Sequence, residues 1–193
     1  QQLSENLGIG FQVGGNLVRT KQKARVRQAK LKMGRLIRLG AKAGSHIFKT
    51  GTVPSMRHGT DVVGITLATM KAVNKMAARS KGRTVGRSNF ARLAIDHFNP
   101  GHLLYLDPLA SWAKGIWDAT IDRDTMRLAW KNASATAGAS DDPMAKAQGA
   151  AGSYLAILLH LGWRSPSFDR IRTTDVDQKG NIITLDLLAT CPR

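Results

Sequence analysis

The chain has 193 residues, 42% of them hydrophobic, which is enough for one good core or two small ones. A formal charge of +16 and a pI near 10.8 lie far outside the ordinary range and point to a polyanionic partner, nucleic acid first. The only cysteine, Cys191, excludes a disulfide framework and a Cys-based zinc site.

The charge is unevenly placed. Residues 1–92 hold 19 of the 29 Lys and Arg against two carboxylates, Glu5 and Asp61, whereas residues 93–193 hold 10 against 11. A solvated surface built for solubility mixes signs, so one-signed charge over this length argues for a charged ligand.

In chain order, "GIGFQVGG" has neither the Gly-Lys-Ser/Thr ending of a phosphate loop nor the GxGxxG spacing, and reads as turns. "VRTKQKARVRQAKLKMGRLIRLGAKAG", residues 18–44, carries ten Lys or Arg and no Asp or Glu, and predicts a single helix. Val26, Ala29, Met33, Leu36, Gly40 and Ala43 recur at spacings of three and four and form its inward face. Arg27, Arg35, Arg38 and Lys42 fall opposite, with Lys23 and Lys30 on the flank. From Arg27 to Lys42, at about 1.5 Å per residue, this makes a ridge about 22 Å long, able to follow several phosphates. Leu31 also falls on the basic face.

A break is expected at Gly44 and Ser45, after which Gly51 stops one short helix and Pro54 opens the next. Thr66 caps a third helix running to about Arg79, with Leu67, Met70, Val73 and Ala77 apolar. "SKGRTVGRS" reads as a basic connector, so the expected division is 1–80, a connector at 81–88, and 89–193. In the second part, Asp107 and Pro108 suit a helix start, "DRDTMRLAWKNAS" has acidic residues in its first turn, and a helix runs from Pro143 to a Gly162 stop. Trp112, Trp117, Trp130 and Trp163 are the expected core of this part, and base stacking is the lesser role for them because they lie in the neutral half. "FDRIRTT" and "NIITL" flank "DVDQKG" as a β-hairpin. The expected fold is mainly α, a basic helical bundle followed by a Trp-containing helical unit with a C-terminal β-hairpin.

No catalytic set emerges. Asp141 and Asp142 in "SDDP" could bind Mg²⁺ as a carboxylate pair, but before Pro143 they read as helix caps. Asp175 and Asp177 read as turn residues. The five histidines show no ligand spacing, and no serine has a triad partner that sequence can locate. No residue is therefore assigned as catalytic or metal-binding. No apolar run reaches membrane-spanning length and no signal-peptide pattern opens the chain, so the expected location is intracellular, nuclear or cytoplasmic, without a membrane partner.

"ENLGIGF", a long basic helix and "IFKTGTVPSMRHGTDVVG" together resemble the region just after the palm in reverse transcriptases of non-LTR retrotransposons. Leu7 and Gly8 match the dipeptide that closes the palm there, and Phe48, Lys49, Thr50, Gly51, Pro54, His58, Gly59, Val62 and Gly64 match the later pattern. "DPLASWAKGIWDA" and "LHLGWRSPS" look like the connector that precedes a ribonuclease H domain in some such polyproteins. The resemblance implies a polymerase thumb and connector that grips template-primer duplex through phosphates. The palm with its Tyr-x-Asp-Asp hairpin has no counterpart here, so the chain itself is expected to bind and not to polymerise. Mg²⁺ is then expected only for the parent polymerase, with no cofactor in this chain. The implied partners are RNA, DNA or RNA-DNA hybrid and the palm of the same polyprotein, with Lys23, Arg27, Lys30, Arg35, Arg38, Lys42 and Lys49 as the phosphate-contacting set. A free-standing nucleic-acid-binding protein of chromatin or ribosome type would account for the same charge, although "LLATCPR" ends in mid-pattern, as a piece of a longer chain would. Basic helices on anionic lipid come third, because the basic helix lacks aromatic anchors.

Overall fold

The computed structural model describes residues 20–82, 98–136, 143–147 and 149–189, together with the backbone of 3–6, 9–12 and 17–18. The protein is mainly helical, with a three-stranded antiparallel sheet near its C-terminus. Two compact units share the chain. The first comprises residues 1–60 and 65–105, the second 61–64 and 106–193.

In the first unit, β1 (Leu3–Asn6), β2 (Ile9–Gln12) and β3 (Leu17–Val18) form an antiparallel meander. Residues 9–12 of the glycine-rich stretch are therefore a strand, not turns, with Ile9 opposite Asn6 and Gly10 opposite Val18. Strands this short carry too few residues for a period of two to be legible.

The basic helix α1 spans Thr20–Arg38 and buries Gln22, Ala29, Met33 and Leu36. It is shorter than expected. Gly40 adopts φ 81°, a left-handed conformation that glycine reaches without a Cβ penalty, and α2 (Ala41–Ile47) starts there. Gly40 and Ala43, expected on the inward face, are exposed as a result. Gly44 breaks nothing. It is buried in α2, where a Cβ would run into the Leu36 carbonyl, so its lack of a side chain lets the two helices approach.

Gly51 does not stop a helix either. A π-helical turn over Phe48–Thr52 carries the chain from α2 into α3 (Val53–Arg57), with Pro54 in the first turn of α3 as expected. The buried Gln22 amide donates to the Met56 carbonyl at 2.6 Å and Arg25 donates to the His58 carbonyl at 2.6 Å, which docks α1 on this segment. Beyond α4 (Thr60–Val63), whose residues from Asp61 onward belong to the second unit, Thr66 caps α5 (Leu67–Ser80), its Oγ1 accepting the Thr69 N–H at 3.3 Å. Phe48, Met56, Ile65 and Val73 are almost wholly enclosed in this core.

The first unit extends past the expected connector. Phe98 meets Phe48 edge-on at 6.4 Å, and Asn74 of α5 accepts the Gly101 N–H at 2.8 Å. Residues 83–88 of that connector lie outside the described residues. Helix α6 runs over Pro100–Trp117, so Pro108 lies inside it and not at its start. Pro100 takes the first position instead, where a missing N–H costs nothing, and the Asn99 side chain accepts the His102 N–H.

The second unit packs α7 (Arg123–Thr136) and α9 (Gly149–His160) with the sheet of β4 (Arg164–Ser167), β5 (Arg170–Val176) and β6 (Ile182–Asp186). Asp122 caps α7 through the Thr125 N–H at 2.9 Å. The helix expected from Pro143 is two, α8 (Pro143–Lys146) and α9, divided near Gly149 at φ 70°, and Gly162 at φ 74° follows the end of α9. Trp112 stacks on Tyr154 at 5.1 Å and donates to the Phe168 carbonyl at 2.9 Å. Trp130 and Trp163 pack against the same core, whereas Trp117, at the last turn of α6, is 42% exposed and does not join it.

Candidate nucleic-acid interface

Burial of Ala29, Met33 and Leu36 turns the opposite side of α1 to solvent. Lys23, Arg27, Lys30, Arg35 and Arg38 are all exposed on that helix. From Lys23 to Arg38, at about 1.5 Å per residue, the row is about 22 Å long. No Asp or Glu occurs between Arg19 and Thr60, and none of these five cations has an ion-pair partner among the described residues. Leu31, 67% exposed, stands amid them. Lys21 and Arg25 differ in kind, since both have partners within the protein and Arg25 is spent on the His58 carbonyl.

Two expected members of the set are placed otherwise. Lys42 is exposed but lies on α2, beyond the Gly40 bend, so it does not continue the row on α1. Lys49 sits in the π-helical turn with its Nζ 5.8 Å from the centre of the Phe98 ring, and Lys81 Nζ lies 5.3 Å from the same ring. Both are cation–π contacts, which hold a charge at an aromatic face.

A second basic row, not anticipated from the sequence, lies on α5. Lys71, Lys75 and Arg79 are exposed there at successive spacings of four, which places them along one side of that helix. With Lys30 of α1 they border a groove of about 530 Å³ whose remaining lining is Val26, Met33, Ala68, Ala72 and Met76. The spacing is legible in the sequence; that the row meets Lys30 across an apolar floor is not, because it depends on how α1 packs against α5.

Candidate chemistry elsewhere is sparse. Among the described residues no three His, Cys, Asp or Glu are grouped so as to hold a metal ion. Asp177 is a turn residue: its Oδ1 accepts the N–H groups of Lys179 and Asn181, both at 2.8 Å, and these bonds hold its carboxyl below the usual carboxylate range. Asp141, Asp142 and Cys191 lie outside the described residues. Among the described residues no helix is long and apolar enough to cross a membrane. Comparison with family models, with curated proteins and with solved structures returns no match.

Proposed function

We propose that the first unit grips a nucleic-acid duplex through its phosphates, as the thumb of a reverse transcriptase of the non-LTR retrotransposon kind. The observation that carries this reading is the row of Lys23, Arg27, Lys30, Arg35 and Arg38, exposed along α1 with no carboxylate among them. A surface of that kind leaves several positive charges to be met from outside, and the regular phosphates of a duplex supply them without reference to base sequence. The motifs around Lys49, Pro54 and His58 support the choice of family, and the charge supports the choice of partner. Polymer synthesis belongs in this reading to a palm, with its Mg²⁺, on the same polyprotein.

The test is the salt dependence of binding to duplex DNA and RNA-DNA hybrid. Each phosphate neutralised contributes about 0.9 to the slope of log affinity against log salt, so five such phosphates give a slope of about −4.5. Scrambled sequences of the same length should bind alike. Affinity indifferent to salt, or confined to one sequence, would exclude the phosphate grip.

A further inference from the structure

We propose that the groove between α1 and α5 seats a single-stranded nucleic-acid segment, with phosphates on the Lys71, Lys75 and Arg79 rim and on Lys30 opposite, and a base against the apolar floor. The proposal rests on the phosphate-binding reading of the first unit and adds a distinct ligand form to it. Two features of the groove favour this occupant. Its volume of about 530 Å³ is in the range of ligand clefts, about 300–1,000 Å³. Its lining combines four cations with five apolar residues, so the matching ligand is anionic at its edges and apolar in its middle.

A duplex does not meet that description. Its bases are stacked inside and offer only their edges in the grooves, so a duplex would satisfy the rim and leave the floor bare. An unpaired strand presents both the phosphates and the flat face of a base. Residues four apart on a helix are about 6 Å apart along its axis, which suits successive phosphates of an extended strand. Met33 and Met76 are buried beneath the floor, and Val26, Ala68 and Ala72 supply the apolar surface that a base would cover.

The experiment uses the full chain, fluorescence anisotropy, and two probes of equal length: a labelled oligothymidylate and an abasic strand of the same phosphate count. The parent should bind the oligothymidylate about fivefold tighter, as burial of one modest apolar patch provides. Ala68→Leu fills the floor without altering charge and should bring the two affinities together while duplex binding holds. Changing Lys71, Lys75 and Arg79 together to Gln should weaken both strands. Equal affinity of the parent for the two strands, both salt-dependent, overturns the groove and leaves the α1 phosphate grip standing; loss of salt dependence for every nucleic acid overturns the underlying reading as well. An acidic amphipathic peptide is the competing probe: if it binds the parent and fails on Ala68→Leu while oligothymidylate is unaffected, the occupant is a protein and the proposal is wrong.

Discussion

The side-chain oxygen of Asn74 on α5 accepts the backbone N–H of Gly101 at 2.8 Å, and the two residues touch so closely that a Cβ at Gly101 would lie 2.6 Å from that same oxygen. The same Cβ would run still closer to the Met70 carbonyl oxygen. This bond ties the start of α6 to α5, because Gly101 occupies the first turn of α6, where N–H groups have no partner within the helix. Gly101→Ala should therefore cost about 1–3 kcal/mol, as overpacking against backbone that cannot yield does. Asn74→Leu should cost a similar amount by leaving the buried N–H without an acceptor, about 1–3 kcal/mol. Urea denaturation of each variant measures this, and unchanged midpoints would show that α6 does not dock here.

Changing Lys23, Arg27, Arg35 and Arg38 together to Gln should weaken duplex binding at every sequence and flatten the salt slope by about 0.9 for each phosphate no longer neutralised. Folding should hold, since these side chains lie away from Ala29, Met33 and Leu36. The control removes the same formal charge from the second unit, at Lys114, Arg123, Lys131 and Lys179, all exposed. Equal weakening in the two variants, with circular dichroism unchanged, would mean that net charge and not α1 attracts the ligand.

The tryptophans should separate sharply. Trp112→Ala removes a ring stacked on Tyr154 and the hydrogen bond to the Phe168 carbonyl, and should cost about 3–5 kcal/mol. Trp117→Ala at its exposed position should cost about 1 kcal/mol or less. Comparable destabilisation in thermal melts would place Trp117 in the core after all.

Burial pushes the Tyr154 hydroxyl up to about 12, opposed by its hydrogen bond with Ser165 and reinforced by the nearby Asp169 carboxylate. The fold thus favours the protonated phenol. Its contribution to stability is complete below pH 10, the unfolded value, and is lost as pH rises through about 12. In a Tyr105→Phe background, which leaves Tyr154 as the sole tyrosine, phenolate absorbance should appear near pH 12 together with loss of structure; ionisation near pH 10 in the folded chain would refute the burial argument.

At the tip of the β5–β6 hairpin the sign is reversed. Backbone N–H groups of Asn181 and Lys179 stabilise the Asp177 carboxylate and lower its pKa below 3.8. Turn stability from this group is present above pH 3.8 and is lost as pH falls through the lower folded value. The Asn181 amide resonance should titrate with a midpoint below 3.8, and Asp177→Ala should abolish that titration. A midpoint at or above the ordinary value would show that the N–H bonds are not formed in solution.

Much of this protein follows from residues that act on their near neighbours. The Thr66 cap, the first-turn place of Pro54, the Asp122 start of α7 and the Asp177 turn each depend on bonds spanning two to four residues, so the local sequence is sufficient. The charge asymmetry is likewise a property of composition, and the exposed cations of α1 follow from a period of 3.6. Tertiary packing decided the rest. Gly40 and Gly44 are the same residue four positions apart, yet one bends the chain and the other is pressed against the Leu36 carbonyl, because only packing determines which backbone comes close. Trp112 and Trp117 share one helix, but only the first faces Tyr154. Lys71, Lys75 and Arg79 become the wall of a groove because α5 lies beside α1, a neighbour that the sequence of α5 does not specify. Helical period and capping are short-range, whereas the choice of partner for each face is a long-range competition for apolar burial, settled only when the whole unit folds.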